Sequence, residues 1–235
     1  MKRRVLDALL RAQAAKQAVA LVTDLGTGLQ TVVHDTVQEG DAALPDDLLE
    51  EARAMLRADR SGLLDFGDER WFVHVHTPPL RLVLIGAVHV AQALAPMAAL
   101  AGYDVTVVDP RGAFATAERF PSVALNGEWP DDALREIGPD VRTAVVALTH
   151  DPKLDDPALT AALASPAFYV GALGSRKTHA KRLDRLREAG IAEAQLARIR
   201  GPVGLDIGAV TPAEIAVSIL AEITAALRGG PKHRD

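Results

Sequence analysis

The sequence predicts an α/β protein: a Rossmann-like parallel sheet with helices on both faces, preceded by a small α+β N-terminal domain. Three observations carry this. Short, largely apolar runs at Leu82–Ile85, Val105–Val108, Thr143–Leu148 and Ala167–Val170 alternate with helical stretches, the pattern of strands covered on both faces by crossover helices. A glycine turn, Gly86-Ala87-Val88-His89-Val90-Ala91, leads from the first run into its helix. Before Pro78-Pro79 the pattern is different, with short strands in hairpins between two helices. Tandem prolines stiffen a connection and end a strand, so the domains are read as 1–77 and 80–228.

Each element follows from local signals. Val5, Leu6, Leu9 and Leu10 fall at helical spacing and predict one buried stripe on the first helix. Ala18–Thr23 reads as a strand, Leu25–Gly28 as a turn and Gln30–Thr36 as the returning strand. Pro45–Arg60 reads as a helix burying Leu48, Leu49, Ala52 and Leu56, and Leu63–Phe66 and Trp71–His76 as strands around Gly67. Beyond the prolines, a helix of about a dozen residues follows the first core strand. Pro96 removes one of its amides and predicts a kink. The last helix starts at Thr211, with Pro212 in the first turn and Glu214 as capping-box partner. Ile215, Ile219 and Ile223 give its buried face, and Gly229-Gly230 stops it.

Composition narrows the function. The chain has 235 residues, 49% hydrophobic and 24% charged, which excludes disorder as the main description. Its net charge of −5 argues against a general nucleic-acid or anionic-membrane binder. Aromatics make up only 4%, too few for a platform that stacks single strands. There is no cysteine, so disulfides, thiolate metal sites and chemistry on the chain's own sulfur are excluded. Met1-Lys2-Arg3-Arg4 mimics the positive end of a signal peptide, but Asp7, Arg11 and Lys16 break the apolar stretch it would need. Leu82–Gly102 carries no charge, yet His89, Gln92, Pro96 and its many alanines fit a buried strand and helix better than a membrane span. A soluble, cytoplasmic protein is expected.

Three constellations carry chemistry. The first is the turn at Gly86, with His89 inside it and Asp109 ending the next strand at the spacing of a ribose-binding carboxylate. Val88 stands where a dinucleotide fingerprint has its middle glycine and crowds a pyrophosphate. The turn therefore reads either as a NAD(P) site or as a Rossmann topology without tight nucleotide binding. The second is Tyr169–Thr178, a strand running through Gly171 and Gly174 into a helix that Ser175 caps. Helix-start amides with Arg176 and Lys177 make an anion site. From Ser175 to Glu188 six Lys/Arg stand against Asp184 and Glu188, a local charge of +4. Lys181–Arg187 reads as a solvated or partner-docking face over a buried one of Ala180, Leu183 and Leu186. The third is Gly201–Gly208, three glycines around Asp206, an aspartate that either orients a ligand's amine or closes a turn.

Two further signals are weaker. His74 and His76 share a strand face, but no third metal ligand is apparent. Thr149-His150-Asp151 ends the third core strand, at the edge where such sheets bind ligands, and His150 is a candidate for proton handling or ligand orientation. No nucleophile stands beside it, and no catalytic residue or metal ligand is assigned.

Together these pieces resemble the xanthine dehydrogenase accessory proteins, the XdhC/CoxI family. The resemblance lies in Leu82–Ala91, in Val105–Arg111 ending Val-Asp-Pro-Arg, in Tyr169–Ala180, and in Gly204–Ile219. It implies a maturation factor that binds molybdenum cofactor, assists its sulfuration by a partner cysteine desulfurase and delivers it to an apo-molybdoenzyme of the xanthine or carbon monoxide dehydrogenase type. The implied cofactor-binding set is Gly86, His89, Asp109, Arg111, His150, Gly171, Gly174, Ser175, Arg176, Lys177 and Asp206. Molybdopterin carries a phosphate, which suits the Gly174/Ser175 helix start, while Asp109, Arg111 and Asp206 would meet the pterin. Two departures stand out: the family's Gly-Ala-Gly-His turn is Gly86-Ala87-Val88-His89, and its N-terminal Ser-Gly-Gly-Cys-type motif is missing from residues 1–77. The chain thus resembles a short variant, one that would work beside a full-length paralogue; a homodimer is left open. The alternatives are an NAD(P)-dependent oxidoreductase and a cofactor-free scaffold that holds the target enzyme.

Overall fold

The structure, a computed structural model, describes residues 1–230. The chain divides into two compact units at Pro78 and Pro79. In the first, helix α1 (Arg3–Ala14) and helix α2 (Asp46–Arg57) cover an antiparallel sheet. Its strands are β1 (Val19–Asp24), β2 (Gln30–Val33), β3 (Gln38–Gly40), β4 (Gly62–Phe66) and β5 (Glu69–His76), in the order β3-β2-β1-β5-β4. Alternation along β1 sends Val19 and Leu21 towards α1, and Ala20 and Val22 towards α2.

Two expectations for this unit are corrected. The buried stripe of α1 is Val5, Ala8, Leu9 and Ala12, while Leu6 is 42% and Leu10 51% exposed. The i, i+3, i+4, i+7 set runs through the two alanines, so the leucines off that line face out. The returning strand stops at Val33, where the chain reverses at His34–Val37 to add β3 at the sheet edge.

The second unit contains β6 (Leu80–Ile85), α3 (His89–Leu100), β7 (Tyr103–Val108), β8 (Ala124–Asn126), α4 (Pro130–Ile137) and β9 (Thr143–Ala147). It continues through α5 (Pro152–Ala164), β10 (Tyr169–Ala172), α6 (Arg176–Glu188), α7 (Glu193–Leu196), β11 (Ile199–Arg200) and α8 (Pro212–Arg228). All six strands are parallel in the order β11-β10-β9-β6-β7-β8. Leu82, Leu84, Val105, Val107, Ala144 and Val146 pack against α3 and α8, and Val83, Ile85, Val108, Val145 and Ala147 against α4, α5 and α6. Full burial of each Val, Leu or Ile among them contributes about 1.5–3 kcal/mol, which is why these strands are nearly continuous apolar runs.

The edge strands β8 and β11 were not expected. They have only three and two residues, and only Ile199 among them is buried, so they carry no apolar run to read. The start of α8 is as expected, with Thr211 accepting from the Glu214 amide and Glu214 reaching back to the Thr211 amide. Among the described residues, no helix is long and apolar enough to cross a membrane.

Candidate functional site

Parallel strands end on one edge, and order reverses between β6 and β9, where an open α/β sheet leaves a crevice for ligands. On the β6 side the turn begins at Gly86, with φ +107°. A Cβ there would lie 2.4 Å from Thr149 Cγ2, so only glycine lets the β6 and β9 turns meet. Val88 occupies the N-cap of α3 without a side-chain capping bond, and His89 stands exposed in the first turn.

Asp109 is turned to partners within its own chain. It is fully buried, and its oxygens accept from the Ala87 amide at 2.8 Å, the Arg111 amide at 3.0 Å, and Arg111 Nε and Nη2 at 2.9 and 2.8 Å. These four donors occupy its near acceptor positions from within the chain. Its role is to tie the first turn to Arg111, whose guanidinium lies 4.7 Å from the centre of the Phe114 ring. Burial pushes the Asp109 carboxyl up, but Arg111 and the two amides hold it below its ordinary range. A depressed carboxylate pKa stabilises the fold above the unfolded value, and that contribution is lost as pH falls through the folded value. In Arg111→Gln the folded pKa rises, so acid destabilisation should begin at a higher pH than in the wild type. Urea midpoints from about pH 7 to about pH 3 check this; superimposable curves would refute it.

On the β9 side Thr149, His150 and Asp151 form the turn into α5. His150 is exposed with φ +66°, and Asp151 caps the helix through the Lys153 amide. The Thr149 hydroxyl donates to Asp155 Oδ1 at 2.6 Å. Asp155 is 1% exposed and faces Arg182, also 1% exposed, whose Nη2 lies 3.4 Å from Asp155 Oδ2 and donates to the Leu173 carbonyl at 2.8 Å.

That arginine corrects the reading of α6. Arg182 and Leu186 are the buried residues, Leu183 is half-buried and Ala180 is exposed. Arg185 pairs with Asp156, and Arg187 with Asp184 and Glu193. The +4 of the sequence is thus mostly neutralised, leaving Arg176, Lys177 and Lys181 exposed at the start of the helix. Ser175 caps that start by accepting from the Thr178 amide at 3.1 Å. Gly171 lies within β10, its missing side chain making room for Val203 and Tyr169 rather than for a ligand.

Gly174 and Arg176 join Arg200, the Gly201–Ala209 loop and α8 in lining a cleft of about 880 Å³, and Asp206 stands exposed on its wall. Two sequence motifs thus meet in one cavity, whereas Gly86, His89, Arg111 and His150 belong to the turns at the strand-order reversal. The inner wall holds a residue the sequence reading passed over. Glu222 is 6% exposed, and its Oε2 accepts from the buried Tyr169 hydroxyl and from the Gly204 amide at 2.8 Å. Burial and the neighbouring carboxylate push the Tyr169 phenol far up. Both Glu222 and Arg182 sit in the apolar stripes of their helices, and a charge in such a stripe was the legible signal. The His74 and His76 rings pack against each other at a tilt of 47° with centres 4.1 Å apart. Among the described residues no cluster of three or more His, Asp or Glu could hold a metal ion.

Comparison with known proteins matches this architecture. The chain is 35% identical over 216 residues to the uncharacterised protein YqeB of Escherichia coli, covering 90% of this chain and 39% of that protein. It is 36% identical over 146 residues to the E. coli molybdenum cofactor insertion chaperone PaoD, covering 62% of this chain and 40% of that one. The chain therefore spans about two fifths of the length of these relatives. The crystal structure of a xanthine dehydrogenase from Bacillus halodurans superimposes with a TM-score of 0.76 at 24% identity, over 97% of this chain and 68% of that one, and shows the fold alone. The model of the XdhC Rossmann domain matches residues 82–223, well over half of the chain. The chain belongs to the XdhC Rossmann domain family.

Proposed function

We propose that this chain binds molybdenum cofactor and helps mature it or insert it into a molybdoenzyme of the xanthine or carbon monoxide dehydrogenase type. The observation that carries the reading is the cleft in which Gly174 and Arg176 meet the Gly201–Ala209 loop. Its residue types fit a ligand with an anionic end and a hydrogen-bonding heterocycle. Arg176 and Arg200 offer positive charge, the exposed Asp206 offers an acceptor, and a volume of about 880 Å³ accommodates a drug-sized ligand. The similarity to a relative named as a molybdenum cofactor insertion chaperone supports the same reading.

On this reading the phosphate lies at the start of α6, held by Ser175, Arg176 and Lys177. Asp206 orients the pterin, and Gly86, His89, Arg111 and His150 shape the adjoining turns. Asp109 acts through Arg111. The chain hands its ligand over and does not turn it over. The partners are then the apo-molybdoenzyme and either a cysteine desulfurase or a full-length paralogue, in the cytoplasm; whether the chain also pairs with itself is an outcome of sizing the complex. An NAD(P) site is disfavoured, because the carboxylate that would read the ribose is consumed by Arg111.

The test is to purify the protein from a molybdenum-replete host and measure bound metal and pterin fluorescence. The double charge reversal Arg176→Glu/Lys177→Glu removes two charge-assisted contacts of about 1.5–3 kcal/mol each. It should lower cofactor retention at least tenfold while leaving the melting temperature nearly unchanged, since both side chains are exposed. Undiminished retention would overturn the phosphate assignment, and calorimetry with NAD and NADP examines the oxidoreductase reading directly.

A further inference from the structure

We infer that the outer edge of β4 pairs with the same edge of a second copy of this chain, so that two five-stranded sheets join across a two-fold axis. Among the described residues, the antiparallel sheet of the first unit ends at β4, which has β5 on one side only. The two strands are joined by the two-residue turn Gly67-Asp68, with Phe66 paired to Glu69. In such a hairpin the flanking pair bonds to itself, so Leu63 and Asp65 turn their backbone N–H and C=O groups outward. An edge of this kind is a template for another strand unless proline, lysine or a bulge blunts it, and β4 (Gly-Leu-Leu-Asp-Phe) has neither proline nor lysine. The opposite edge is better protected: β3 has three residues, and Arg11 holds its Glu39 at 2.9 Å.

Two features select a second copy as the occupant. The first is charge complementarity. Helix α2 runs back along β4, with Met55 Cε 3.3 Å from where a Cβ on Gly62 would lie, and with Asp47, Glu50 and Glu51 beside Leu64, Asp65 and Phe66. These last six line an acidic cleft of about 460 Å³ at one end of the edge. The other end carries Arg57 and Arg60, both exposed. A two-fold axis through Leu63 brings the acidic end of each copy onto the basic end of the other. Arg60 of the second copy then stands opposite Phe66, at the acidic cleft, and Ser61 of the second copy opposite Asp65. The second feature is apolar. Leu63 is 52% and Phe72 37% exposed, and the two stand opposite each other on one face of the sheet. The same axis sets Leu63 beside its own copy, so Phe72, Leu63, Leu63 and Phe72 form one strip across the joint. An axis through Asp65 instead would set two carboxylates side by side, which repel.

The experiment combines sedimentation equilibrium of the intact chain with cysteine cross-linking. The wild type should sediment at twice its 24.9 kDa mass at about 50 μM and dissociate as salt is raised. Leu63→Lys should weaken the dimer at least about tenfold, as a central contact does, with an unchanged circular dichroism spectrum because the side chain is exposed. Arg60→Glu and Glu51→Arg should each weaken it about threefold or more. The double variant should recover most of that loss, because the reversed charges meet across the joint. The chain has no cysteine, so Leu63→Cys and Asp65→Cys each introduce a single thiol. Opposed residues of a bonded antiparallel pair have Cα atoms about 5.5 Å apart, within disulfide reach. Leu63→Cys should therefore cross-link to a dimer under mild oxidation, and Asp65→Cys, which stands opposite Ser61, should not. A monomer at that concentration would overturn the inference and leave the edge to a different protein. Assembly beyond a dimer, a dimer indifferent to Leu63→Lys, or cross-linking of Asp65→Cys as fast as of Leu63→Cys would overturn it too. If Leu63→Lys fails to fold, the cross-linking pair decides.

Discussion

Asp155→Ala is expected to lose about 3–5 kcal/mol of stability, the cost of leaving a buried charge without its partner. Arg182 is 1% exposed, and the buried Asp155 carboxylate is the acidic partner the structure provides for it. Two of its nitrogens, Nε and Nη1, are buried without a hydrogen bond, so the site has little to offer the guanidinium once the carboxylate is gone. The consequence reaches the ligand edge. Asp155 accepts from the Thr149 hydroxyl in the β9 turn, and Arg182 donates to the Leu173 carbonyl in the β10 turn. The pair therefore braces both loops, and on the proposed role the variant should also retain less cofactor. The double variant Asp155→Ala/Arg182→Met should cost clearly less, because methionine fills the volume and neither charge is left buried without its partner. Urea unfolding of the two variants checks the order. A loss below about 1 kcal/mol in Asp155→Ala, the range of an exposed ion pair, would show that the pair is not buried in solution.

The second large effect is expected at Gly204. Its φ of +99° disfavours any side chain, and a Cβ would lie 2.3 Å from Ser218 Oγ and 3.2 Å from the Ile219 amide nitrogen on α8. Gly204→Val adds backbone strain of about 1–3 kcal/mol to overpacking of similar size. It should also push the loop off α8, breaking the bond from the Gly204 amide to Glu222 and closing the cleft. Gly208 in the same loop provides the control. Its φ is +74°, but nothing lies within 4 Å of its Cβ position, so Gly208→Ala meets the backbone cost alone, about 1–2 kcal/mol. Melting temperature and cofactor retention should both fall in Gly204→Val and be largely kept in Gly208→Ala. Equal effects would mean that the approach to α8 does not hold the loop.

The parts of the fold that were legible depend on short-range rules. The central strands β6, β7, β9 and β10 are buried on both faces, so their apolar runs announce themselves. The capping box of α8 lies within four residues and could be read directly. Where burial depends on distant partners, the reading went astray. Ala8 and Ala12 carry little apolar signal, yet they pack under α1 while the more hydrophobic Leu6 and Leu10 face outward. The strands β8 and β11 owe their existence to one neighbour each, β7 and β10.

For the site the division is similar. Sequence alone determined the parallel α/β architecture, the glycine turns at the strand ends and the Ser175 cap, because these follow from periodicity and from backbone and capping preferences within a few residues. It also placed Arg176, Lys177 and Asp206 among the candidates. Only the tertiary structure decided what each charge does. Arg182 looked like part of a solvated face and is fully buried against Asp155, while Asp109 looked like a ligand reader and is closed off by Arg111. Glu222 was not among the candidates, and it lines the cleft beside Tyr169 and Gly204. A charge is decided by its partners and its access to water, and both are set by segments far apart in the chain.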